Sequence, residues 1–161
     1  MAAVDYFLKI DGVDGESKDK DHQNEIQLES WSWGETNSGS MSAGGGGGAG
    51  KVSMQDFTFT MQTNKASPEV FKKCAAGDHI DSCLLTCRKA GGDQQEYLKI
   101  EFTDVLISSY QTGGGGGDVL PVESITFNFA KIKYSYAPQK DDGSLDSPIE
   151  HTVDLKQMDI S

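Results

Sequence analysis

Four stretches of this chain alternate apolar and polar residues as strands do, then change which alternate position is apolar partway along. Ile26 and Leu28 give way to Trp31 and Trp33, and Val52 and Met54 to Phe57, Phe59 and Met61. Leu98, Ile100 and Phe102 give way to Val105 and Ile107, and Ile125, Phe127 and Phe129 to Ile132, Tyr134 and Tyr136. A strand in a flat sheet keeps one buried parity along its length. A mid-strand switch requires a bulge or a bend that carries the strand round a corner. Repeated four times, it predicts an all-β fold: a closed barrel or orthogonal sandwich of about seven or more strands.

The remaining elements fit that frame. Val4, Tyr6, Leu8 and Ile10 alternate with polar neighbours and predict a first strand. Ile80 to Lys89 is apolar on both faces, through Cys83, Leu84, Leu85 and Cys87, which predicts a central strand. Ile149, His151, Val153 and Leu155 alternate to Lys156 and predict the last. One helix is expected, over about 67–76. Ser67 is read as its N-cap, Pro68 stands at the first helical position, and Gly77 closes it. Val70, Phe71, Cys74 and Ala75 form its apolar stripe, suited to covering a sheet or plugging a barrel. With 161 residues the chain is expected to form a single domain over 1–161.

The segment from Glu35 to Lys51 has no hydrophobic period and contains the run Gly44 to Gly48. Five successive glycines carry a high entropy cost of ordering. A long glycine-rich arm between two well-specified strands is either disordered or ordered by something outside its own fold. A second run, Gly113 to Gly117, reads as a hairpin tip.

The net charge of −11 disfavours nucleic-acid phosphates and anionic membrane surfaces as partners. No apolar stretch approaches membrane-spanning length, and Met1 to Asp5 has neither the basic nor the apolar region of a signal peptide. Cys83 and Cys87, four residues apart on a strand, stand about 13 Å from one another, beyond disulfide reach. Reduced thiols in a cytosolic setting are expected. On such a strand His79, Cys83 and Cys87 do not converge on one metal ion. The acidic connection Asp11 to Asn24 lacks the calcium-loop pattern. Gly45 to Lys51 imitates a phosphate-binding loop, but Val52 replaces its Ser or Thr and a strand follows where a helix is needed. Asp78, His79 and Ser82 bring triad-type residues together in sequence only. No catalytic, cofactor or metal site is therefore expected.

Trp31 and Trp33 share one strand face and Ser30 and Ser32 the other. The tryptophans fill a core end, or the serines face a solvent-filled channel; the phase of one strand leaves both open.

The run Phe7-Leu8-Lys9-Ile10-Asp11-Gly12-Val13-Asp14-Gly15-Glu16-Ser17 resembles the opening of the Hcp (haemolysin-coregulated protein) family of type VI secretion systems. Glu29-Ser30-Trp31-Ser32-Trp33-Gly34, Gly50 to Phe57, Arg88 to Gly92, Glu96-Tyr97-Leu98 and Ala137 to Lys140 resemble it too, in order along the chain. The resemblance implies a non-enzymatic barrel with a flanking helix. Six copies would form a ring, and rings would stack into the inner tube of a contractile injection machine. The implied partners are further copies of the chain, sheath and hub or spike proteins, and small effector proteins in the ring lumen. The implied location is the bacterial cytoplasm, followed by release through the machine. Within it, Glu35, Ser40, Met41, Gly44, Gly48 and Lys51 are expected to form a ring-stacking loop, and Ser30 and Ser32 to face the lumen. Two other readings stay in view: a monomeric barrel that binds a ligand under glycine-rich lids, and a small hydrolase built on Asp78, His79 and Ser82.

Overall fold

The computed structural model describes residues 4–39, 51–89 and 94–161. In chain order its elements are β1 (Val4–Ile10), β2 (Ile26–Leu28), β3 (Ser30–Ser32), β4 (Glu35–Asn37), β5 (Val52–Met54), β6 (Phe57–Gln62), α1 (Ser67–Ala76), β7 (His79–Lys89), β8 (Glu96–Gly113), β9 (Val122–Tyr136), β10 (Ile149–Asp154) and β11 (Asp159–Ile160). All pairings are antiparallel, and the main sheet runs β11-β10-β9-β8-β7-β1-β2. β7 is central between β1 and β8, as its two apolar faces require.

The parity switches are where the strands break or bend. Between β2 and β3 lies the single residue Glu29, whose N–H donates to the Thr60 carbonyl at 2.9 Å. Beyond it β3 pairs with β6, and β6 pairs with β9. The pairings therefore return to β9, but among the described residues β2 pairs with β1 alone and β3 with β6 alone. Because the corner is turned by interrupting the ladder, the sheet is mainly β without being a closed barrel, which corrects the expected closure. The second switch separates β5 from β6 at Gln55 and Asp56, where β5 leaves the main sheet altogether. In β8 the switch falls at Asp104, held at φ 56°. The facing strand β9 switches at Ala130, whose carbonyl accepts from Leu155 N–H at 2.8 Å.

Both halves of β8 and of β9 feed one core, although Tyr134 and Tyr136 at the end of β9 are exposed. Phe57, Phe59, Phe102 and Phe127 are fully buried. The Phe57, Phe102 and Phe127 rings lie 4.9–5.0 Å apart, centroid to centroid, in tilted, edge and stacked arrangements. Such contacts add to the burial of large apolar surface.

The helix differs from expectation at its start. Ser67 lies inside α1, Ala66 takes the cap position, and no side chain caps it. The Ser67 hydroxyl instead donates to buried Glu123 at 2.6 Å and accepts from Asn64 N–H. The apolar stripe is only partly used. Val70 is fully buried, whereas Phe71 is 59% exposed and touches Tyr110 by its edge. Gly77 ends the helix at φ 67°, the left-handed conformation that lets its N–H reach back to Cys74.

Candidate functional site

Two features carry those of the expected functional residues that the structure describes. The first is a ribbon. β4 and β5 form a two-stranded sheet of their own, pairing Glu35 with Met54, Thr36 with Ser53 and Asn37 with Val52. The ribbon is fixed at its base by Gln55 N–H on the Gly34 carbonyl at 2.9 Å, and the Ser38 hydroxyl accepts from Lys51 N–H further out. Glu35 and Lys51 are exposed. Ser40, Met41, Gly44 and Gly48 lie outside the described residues.

The second is a face of hydroxyls. Ser30 and Ser32 are exposed on β3 and stand opposite Thr60 and Thr58 of β6. Those threonines stand opposite Ser124 and Thr126 of β9. Ser30 and Thr60 share a hydrogen bond of 2.6 Å, and Thr58 and Thr126 one of 3.1 Å. The opposite face of the same strands is apolar. Trp31 stacks on Phe57, with centroids 6.0 Å apart and planes 15° apart, and meets Tyr6 edge-on. Trp33 lies against Phe129. The tryptophans thus belong to the core side, and the serines to a neutral polar wall.

The two ends of β6 carry different loops. The ribbon leaves beside Phe57, while at the Gln62 end Thr63 N–H donates to the Pro121 carbonyl, next to the 114–121 turn. That turn carries Val119, which is 99% exposed.

Other sequence candidates are not assembled. Exposed His79 directs Nε2 to Asp104 at 2.9 Å and Nδ1 to Asp81 at 3.4 Å, so both ring nitrogens face carboxylates and neither is left for Ser82. Those contacts hold the Asp104 carboxyl below its ordinary value, with Lys156 adding to His79. Cys83 and Cys87 are buried, and burial pushes both thiols up to about 12. Among the described residues, no three His, Cys, Asp or Glu side chains are arranged to hold a metal ion. Among them, too, no helix is long and apolar enough to cross a membrane.

One cluster escaped the sequence reading. Buried His22 lies flat on Phe7, with centroids 4.4 Å apart, and Arg88 covers the same ring at 4.8 Å. Its members are scattered from β1 to β8, so no spacing in the sequence announces it.

Compared with known proteins, residues 7–136 match the family model described as type VI secretion system effector, Hcp. The chain is 49% identical to Protein hcp1 of Pseudomonas aeruginosa over 157 residues, which are 96% of this chain and 97% of that one. A solved type six secretion system protein superposes with a TM-score of 0.92 at 30% identity, covering 99% of this chain and 100% of that one. Hcp1 from Salmonella typhimurium superposes with a TM-score of 0.79 at 34% identity, with the same coverage. With its fold and most of its length shared, the chain belongs to the Hcp family of the type VI secretion system.

Proposed function

We propose that this protein is a non-catalytic tube component, six copies of which form a ring and whose rings stack head to tail. The observation that carries this reading is the β4–β5 ribbon, which stands apart from the main sheet and presents exposed polar residues with no core of its own. The ribbon and the 114–121 turn project from opposite ends of β6. A subunit with unlike ends makes heterologous contacts, and such contacts propagate into filaments. The run Gly44 to Gly48 is entropically costly to fix in a contact, which lowers the net affinity of each stacking step. That suits a tube whose assembly depends on sheath and hub proteins and which must afterwards come apart.

The hydroxyl wall of Ser30, Ser32, Thr58 and Thr60 is assigned to the lumen, where short neutral donors and acceptors hold small effector proteins without a fixed charge pattern. Assembly takes place in the bacterial cytoplasm, and the protein leaves through the machine. Deleting Gly44 to Gly48 tests the stacking assignment. Rings should survive while tubes are lost, and loss of the rings would move the arm to the ring interface. Ser32→Gln tests the lumen assignment. It should leave assembly intact and change effector retention, and unchanged retention would refute it.

A further inference from the structure

The His22 cluster has a geometry that a neutral side chain cannot complete. Nδ1 lies 2.9 Å from Glu25 Oε2, and Nε2 lies 2.7 Å from Glu96 Oε1. A neutral imidazole has one donor and one acceptor nitrogen, whereas an imidazolium has two donors. With ionised carboxylates on both sides, only the doubly protonated ring donates on both sides. His22 is 6% exposed, and the side chains of Glu25 and Glu96 are 12% and 29% exposed, so water replaces little of what the ring supplies.

The charges around it come from every packed element. On its own segment are Glu25 and Asp19. β1 contributes Asp5, and β7 contributes Arg88, whose guanidinium binds Asp5 and Asp19 and lies over the Phe7 ring. β8 contributes Glu96 and Lys99, 3.3 Å apart. Four carboxylates thus face two permanent cations, and a third positive charge at the ring balances the group more closely.

We infer that His22 is a protonation-dependent clamp that fastens the 11–25 segment to the start of β8. Glu25 ends that segment and Glu96 opens β8, so the ring joins parts of the chain 74 residues apart. When the ring loses a proton, one nitrogen becomes an acceptor facing a carboxylate oxygen, and that bond turns repulsive. Loss of the Nε2 proton breaks the tie to β8, while the segment keeps its own backbone bonds, such as Asn24 N–H to Ser17 O at 2.9 Å. The inference does not depend on ring or tube assembly.

The experiment is nitrogen NMR of the His22 ring over a pH series, with amide exchange of residues 15–25 measured on the same samples. The expected result is two protonated ring nitrogens at the acid end and, after correction for intrinsic rates, at least about tenfold lower protection of 15–25 once the ring deprotonates. In Glu96→Gln the amide can donate to a neutral ring, so the pH dependence of protection should flatten while the fold persists. A ring carrying a single proton throughout would overturn the clamp. So would a pH dependence of protection unchanged in Glu96→Gln.

Discussion

Arg88 grips Asp19 with both ends of its guanidinium, Nη1 to Oδ1 at 3.0 Å and Nη2 to Oδ2 at 2.8 Å. Two parallel charge-assisted bonds of this kind are strong and directional. The Arg88 bond is the main reason the Asp19 carboxyl falls from 3.8 to about 2, against the opposing effect of burial. A carboxyl depressed on folding stabilises the fold above its ordinary value, and that stabilisation is lost as pH falls toward the depressed one. Asp19→Asn should therefore lower the melting temperature at neutral pH. The gap from the unmodified protein should narrow between about pH 4 and pH 2. Thermal melts across that range check it, and a gap constant down to the lower limit would contradict it.

Phe57 touches Phe59, Phe102, Phe127 and Trp31 at the centre of the core. Phe57→Ala removes a fully buried ring from a site walled by other rings, which collapse poorly into the space. The expected loss is about 3–5 kcal/mol, measured by denaturant titration. A loss near 1 kcal/mol would mean that the aromatic cluster repacks.

Gly15 is a case of close approach. A Cβ there would stand 2.5 Å from the Glu25 carbonyl oxygen and 2.9 Å from the Ile26 Cα, both backbone atoms. Gly15→Ala must push the 11–25 segment away from β2, and about 1–3 kcal/mol of stability should be lost. Chemical denaturation measures it, and a neutral substitution would show that the segment has room to move.

The three cysteines should differ in reactivity. Cys83 and Cys87 are buried with thiols held at about 12, whereas Cys74 is half-buried on α1. The thiolate is the reacting form. Iodoacetamide on the native protein should modify Cys74 first and reach the other two only on unfolding, as peptide mass analysis would show. Early modification of Cys83 would contradict the placement of β7 at the sheet's centre.

The fold was legible where it rested on periodicity. The switches at Glu29, at Gln55–Asp56 and at Asp104 with Ala130 all fall where apolar parity changes. The central position of β7 also followed from its two apolar faces. What periodicity did not reveal was how a corner is made. Asp104 turns the chain with a left-handed residue, whereas Glu29 interrupts the ladder and leaves the barrel unclosed. Ser67 was misplaced because a serine before a proline signals a cap, yet its hydroxyl is taken by Glu123, 56 residues away. The serines of β3 could be given a face from alternation, but only the Trp31–Phe57 stack decides which face is the core. His22, Arg88 and Glu123 are buried polar groups that each depend on partners distant in sequence, Glu96, Asp19 and Thr63 among them, and local patterns carry no signal for those contacts.

Ring formation by this chain through its own surfaces underlies both the stacking and the lumen assignments. Light scattering on a sizing column, with negative-stain images of the eluted peak, tests it most directly. The expected result is a mass six times that of the chain and annular particles with an open centre. A single-chain mass persisting at high concentration would contradict it.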